Sequence, residues 1–176
     1  MSVGPVMEVV SGAALVALLV TGCWTDLRAR RIPNKLVLFT AAVGVLLSIA
    51  AHGWMAGFVR AGGGMLTGLA IWVPFFALGM LGAGDVKLFA AAATFLGAKW
   101  AVEGALYTAL YGGLLAAAYM VASSGWSAAL FRISSATQDP MLLRQDTSTH
   151  RRRMPYALAI AAGVLTAMWW PGHILG

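Results

Sequence analysis

Charge is what this sequence has least of. Asp, Glu, Lys and Arg together make up 10% of its 176 residues, where a soluble domain carries about 25%. With 60% of the residues hydrophobic, too few polar side chains remain to cover a water-soluble domain of this size. Cysteine is nearly absent as well. Cys23 stands alone, which excludes an internal disulfide, and His52, His150 and His173 lie far apart, so no Cys/His set has the spacing of a metal site. Neither a metal nor a cofactor is expected. Acids are outnumbered by bases, six to twelve, for a formal net charge of +6. The bases sit in short stretches between apolar blocks, which is the pattern of membrane topology rather than of a nucleic-acid surface. The expected environment is a lipid bilayer, with no nucleic-acid partner.

What is there in abundance is apolar sequence. Six segments have roughly membrane-spanning character: about Val6 to Trp24, Leu36 to His52, Gly62 to Leu81, Leu88 to Trp100, Gly104 to Ala122 and Pro155 to Trp170. The fold class expected is all-α, a polytopic membrane protein of about six transmembrane helices forming a single domain over 1–176. Its cytoplasmic loops would lie at about 25–35, 82–87 and 123–154. Orientation follows from Lys and Arg. With the loop after the first segment inside, Arg28, Arg30, Arg31, Lys35, Lys87, Arg132, Arg144, Arg151, Arg152 and Arg153 are all inside. Only Arg60 and Lys99 are outside, so ten of the twelve bases obey the positive-inside rule. Both termini are then outside. Trp24 and Trp126 fall at inner ends, and Trp54, Trp100, Trp169 and Trp170 at outer ends, as an interfacial belt requires. Trp72 is the exception: mid-span near Pro74, it signals a kink or helix packing. The stretch from Ser123 to Arg153 reads as a solvated loop on anionic headgroups.

The run ending in "LLVTGC" at Cys23 looks like a lipoprotein cleavage box. A signal peptide needs a positive segment ahead of its apolar run. No Lys or Arg precedes this one, so the run is expected to stay as the first helix.

Of the six acids, Glu8 and Glu103 fall near outer helix ends, and Asp139 and Asp146 in the long loop. That leaves Asp26, closing the first segment, and Asp85, between the third and fourth, both at the inner face. The fourth segment is short. Its 13 residues from Leu88 to Trp100 span about 20 Å against a hydrocarbon core of about 30 Å, so Asp85 is expected to lie sunken in the membrane. A carboxylate at that depth is a candidate functional group. Two of them make the working unit of an aspartic protease. One takes a proton from a water that attacks the peptide carbonyl, and the other donates a hydrogen bond to that carbonyl. Gly82 and Gly84 suit an irregular backbone and close approach. Structural alternatives stand beside this reading: Asp26 has Arg30 four residues on, Asp85 has Lys87 close by, and sunken aspartates also suit a small proton- or cation-coupled transporter.

"DLRARRIPN" (Asp26 to Asn34) followed by "GAGDVKL" (Gly82 to Leu88) resembles the type IV prepilin peptidases, bacterial membrane aspartic proteases of the GxGD kind. The short form that serves Flp-type, tight-adherence pili is the nearest resemblance, and "RMPYALAIAAG" (Arg153 to Gly163) is similar to the family's last helix. The resemblance implies that Asp26 and Asp85 are the catalytic pair and that Gly82 and Gly84 form the active-site turn. The substrate it implies is a prepilin with a basic leader and an apolar helix, cut at the cytoplasmic face of the inner membrane. Lys87 is a candidate contact for substrate or carboxylate, Ile32-Pro33-Asn34 is expected to start the second helix with Asn34 as its N-cap, and Arg28, Arg30 and Arg31 serve topology. The long members of the family carry a cytoplasmic insert with paired CxxC motifs and also methylate the new amino terminus. One cysteine and no such insert give methyltransferase activity little support. The PAL motif of presenilin-like GxGD proteases is missing too, with "MPY" in its place.

Overall fold

The computed structural model describes residues 4–29, 32–124 and 156–170. All regular structure in them is helical: α1 (Gly4–Ala29), α2 (Asn34–His52), α3 (Trp54–Ala77), α4 (Ala83–Leu96), α5 (Ala98–Ser124) and α6 (Ala157–Trp169). The chain divides into two compact units. The first comprises Met1–Tyr111 with Pro155–Gly176, and the second Gly112–Met154. Of the second unit the structure describes 112–124, the end of α5. The expected loop at 123–154 and Trp126 lie outside the described residues, Ser123 and Ser124 excepted. Everything below concerns the first unit.

The helices are built inside out. On α2 the buried residues are Thr40, Gly44 and Ser48, each four on from the last, while Leu38, Phe39 and Leu46 are more than 60% exposed. In water that arrangement would be unstable. In lipid the outward face costs nothing, and small residues inside let backbones approach. Four helical stretches are long and apolar enough to cross a membrane: Val9–Ala29, Asn34–His52, Trp54–Ala77 and Ala98–Ala118; α6 is a shorter apolar helix.

The short fourth helix is the centre of the unit. From Leu88 to Leu96 every residue of α4 is buried, and α1, α2, α3 and α6 all pack against it. α3 reaches it through Gly64 and Gly68. A Cβ at Gly64 would collide with the carbonyl of Ala93, and one at Gly68 would stand 3.2 Å from the Cα of Ala90. The C-terminal end of α4 is held by Arg60 of α3, whose two terminal guanidinium nitrogens donate to the carbonyls of Phe95 and Leu96, each at 3.0 Å. These are carbonyls a helix end leaves without an intrahelical partner.

Several boundaries differ from the sequence reading. α1 runs on to Ala29 rather than ending near Trp24, which puts Asp26 in its last turn instead of in a loop. α4 ends at Leu96 rather than Trp100, and α5 begins at Ala98 rather than near Gly104. The third helix begins at Trp54 rather than near Gly62, because Arg60 finds acceptors within the bundle and need not lie in a loop. The fourth begins at Ala83 rather than Leu88, which moves Asp85 from the inter-helix link to the first turn of α4. Trp72 answers to the packing alternative. It is 3% exposed, with its ring against Phe75, Phe89 and Tyr156.

Candidate active site

α1 and α4 run in opposite directions. They meet where Gly22 faces Leu88: a Cβ on Gly22 would stand 3.3 Å from both leucine methyls. Asp26 lies four residues beyond Gly22 on α1, and Asp85 three residues ahead of Leu88 on α4. Residues at those spacings share a helix face. Because the helices are antiparallel, both steps lead toward the same end of the unit. The two aspartates therefore stand at one end on neighbouring helices, one turn beyond a close glycine contact. Asp26 is partly exposed, with its Oδ2 oxygen buried. Asp85 is partly exposed too.

Asp85 helps to start its own helix. Gly82 is the N-cap of α4, and its carbonyl accepts the N–H groups of Asp85 at 3.1 Å and Val86 at 3.3 Å. In return the Gly82 N–H donates to Asp85 Oδ2 at 3.3 Å. That reciprocal bond fixes the carboxylate at the positive end of the helix dipole, a favourable place for negative charge. Gly82 has φ −79° and ψ 146°, a conformation any residue adopts. Its need for glycine is room, because a Cβ there would sit 2.9 Å from Asp85 Oδ2. Gly84 is less constrained: a Cβ would meet Ile32 at 3.5 Å, an ordinary contact. The sequence reading gave both glycines the same backbone role, and the geometry separates them.

The link after α1 folds over this turn. Ile32 lies beside Gly84, and Asn34 Oδ1 accepts from Lys87 Nζ at 3.5 Å, an exposed contact. The "IPN" and "GDVK" stretches, some fifty residues apart in sequence, thus meet. Asn34 is not the N-cap of α2. Pro33 is, with φ −63° and ψ 132°, and its carbonyl takes the N–H groups of Leu36 and Val37. The proline ring already presets the entry, which leaves the Asn34 side chain for Lys87.

Two residues near the pair were not read as site residues in the sequence. Cys23, one turn before Asp26, donates its thiol to the carbonyl of Ala157 at 3.4 Å. Tyr156, at the start of α6, lies within the electrostatic reach of Asp85. Glu103, read as a helix-end residue, is fully buried inside α5. Single acids and a tyrosine carry no periodic signal, so only packing could reveal them. A cavity of about 300 Å³ lined by Ser11, Ser48, His52, Arg60, Trp100 and apolar neighbours opens at the end of the unit opposite the aspartates. Among the described residues no three His, Cys, Asp or Glu side chains gather as a metal set.

Chemically, two carboxylates on adjacent helix ends can hold a water between an acceptor and a donor and attack a carbonyl. Residues 13–121 match the model of the type IV leader peptidase family. The chain is also similar to a prepilin leader peptidase/N-methyltransferase of Bacillus subtilis (strain 168), at 27% identity over 172 residues. That match covers 96% of this chain and 59% of the relative, so the chain spans less than two thirds of the relative's length. No solved structure matches it.

Proposed function

This chain belongs to the type IV leader peptidase family, and from that premise we propose that it is a membrane aspartic endopeptidase that removes the leader of a type IV, Flp-like prepilin. The observation that carries the reading is the α1–α4 contact at Gly22 and Leu88, which leaves Asp26 and Asp85 at the same end of adjacent helices. In this mechanism the ionised member of the pair takes a proton from water as the oxygen attacks the scissile carbonyl. The protonated member donates to the carbonyl oxygen as it gains charge. The amide C–N bond then breaks, and the nitrogen takes a proton from the site. Gly82 keeps Asp85 in place through its N–H.

The site faces the cytoplasm of a bacterial inner membrane on this reading. Among the described bases Arg28, Lys35 and Lys87 lie close in sequence to the aspartates or their link, while Arg60 and Lys99 lie by the C-terminal end of α4. From Asp85 to Leu96 α4 rises about 17 Å, against about 30 Å of hydrocarbon, which keeps Asp85 below the membrane surface. A scissile bond just ahead of an apolar helix meets the carboxylates there without leaving lipid. Methyl transfer is not part of the proposal: α2 begins at Asn34, five residues after α1 ends at Ala29, which leaves no inserted domain between them.

Co-expression with a Flp-type prepilin in cells lacking their own leader peptidase tests the assignment. The expected outcome is a pilin whose mass has fallen by its leader, with a new amino terminus at the head of its apolar helix. Prepilin that keeps its full mass beside well-expressed peptidase would overturn it, and proton or cation flux in proteoliposomes would then favour the transporter.

A further inference from the structure

Five residues, Leu78 to Gly82, link α3 to α4, and their backbone is fixed. α3 ends in a Schellman motif. The Gly79 N–H donates to the Phe76 carbonyl and the Met80 N–H to the Phe75 carbonyl, each at 2.9 Å. Gly79 has φ 76°, the left-handed conformation that the motif gives to glycine. The residue at the Met80 position of such a motif commonly packs back on the helix it ends. Met80 nonetheless stays 68% exposed, and Leu78 75%. Leu81, the next residue, packs against the core instead. The link thus displays two large apolar side chains on a backbone that is already in place.

The display stands next to the carboxylates. Met80 is two residues before Gly82, so their Cα atoms are at most about 7 Å apart. The Gly82 N–H in turn donates to the Asp85 carboxylate. A peptide whose scissile carbonyl reaches that carboxylate has its flanking residues within a helical turn or two of Met80. Chemistry decides which flank belongs there. From Ala61 to Gly84 the chain carries no charged residue, so α3 and the link offer a basic leader nothing and an apolar helix a continuous wall. The opposite flank of the turn is basic and already covered. Arg28, Arg30 and Arg31 follow Asp26 within five residues, Ile32 lies beside Gly84, and Lys87 is tied to Asn34.

We propose that Leu78 and Met80 form the docking surface for the first turns of the prepilin's apolar helix, on the far side of the scissile bond from the leader. The inference rests on the leader-peptidase reading and deepens it by naming where that substrate binds. The fixed link gives a preformed surface, which lowers the ordering cost of binding. The flexible thioether of Met80 adapts to helices of different sequence.

The test is steady-state cleavage of a purified Flp-type prepilin by the full chain in lipid nanodiscs. Leu78→Ser and Met80→Ser should each raise KM about tenfold, with kcat within about twofold and an unchanged melting temperature. Met80→Leu, which keeps an apolar side chain, should bring KM back to within about threefold of the wild type. Leu66→Ser is the control, since Leu66 is 64% exposed on α3 but more than ten residues from the link. An unchanged KM in both link variants overturns the proposal. So does an equal rise in Leu66→Ser, which would make the link ordinary lipid-facing surface. A benzophenone amino acid in place of Met80, with Asp85→Asn to keep the substrate whole, reads the contact directly. The expected adduct lies in the first two turns of the apolar helix, and an adduct on the leader, or on lipid alone, overturns the proposal. A wild type that leaves the prepilin uncut, beside well-expressed peptidase, overturns the leader-peptidase reading itself.

Discussion

Gly82 and Gly84 offer a sharp test of how the turn works, because the geometry gives them different duties. At Gly82 a Cβ would stand 2.9 Å from Asp85 Oδ2, where ordinary contact begins at 3.4 Å. The carboxylate must therefore retreat by the difference, about 0.5 Å. The Gly82 N–H bond to it, 3.3 Å long, then stretches past useful range. Losing that bond costs about 1 kcal/mol. Replacing glycine by alanine at a conformation alanine adopts freely returns about 0.4–1 kcal/mol through the unfolded chain. Gly82→Ala is thus close to neutral for stability. Its effect falls on chemistry: a 1 Å misplacement can cost about 100-fold, so half of that predicts roughly a tenfold loss of kcat. Gly84→Ala meets only an ordinary contact with Ile32 and replaces a glycine inside a helix, which favours folding by up to about 1 kcal/mol. Cleavage should stay within about twofold. The assay is initial-rate prepilin cleavage by both variants, with melting temperatures measured alongside. Equal rates for the two alanines, or a fully active Gly82→Ala, would refute the argument that Gly82 is there to make room for the carboxylate.

Arg60→Ala strips two charged donors from the carbonyls of Phe95 and Leu96. It should cost about 1–3 kcal/mol, seen as a lower melting temperature in detergent, while the variant that remains folded still cleaves. Lys87→Ala breaks a long, exposed contact with Asn34, and exposed polar contacts contribute little. Cleavage should stay within about threefold at low salt, and a loss of 100-fold or more would mean that Lys87 touches substrate.

The membrane class and the rough position of each helix were legible because apolar runs and the scarcity of charge report the solvent directly. The two aspartates were legible as candidates because carboxylates are rare in such a chain. What was hidden is which apolar face turns inward. In lipid, Leu46 outside and Leu88 inside have similar surroundings, so hydrophobicity cannot sort them, and the small-residue row Thr40, Gly44, Ser48 is the signal that does. The start of α4 was misread because Gly82-Ala83-Gly84 looks like a break, whereas Asp85 caps its own helix back to Gly82. The start of α3 was misread because Arg60 looks like a loop residue until the end of α4 supplies its acceptors. Trp72 was legible as a packing residue from its mid-span place, but not its partner: Tyr156 lies 84 residues on, and only the fold brings the two rings together.

The central claim is that Asp26 and Asp85 act as one unit on one water. Its most direct measurement is the prepilin cleavage rate of purified Asp26→Asn, Asp85→Asn and the double variant, each shown to be folded by its melting temperature. Groups that act together lose their effect together. Each single variant should therefore fall by at least about 1,000-fold, with no further loss in the double. A single variant that still cleaves near the wild-type rate would contradict the claim, and losses that multiply in the double would mean the two carboxylates act separately.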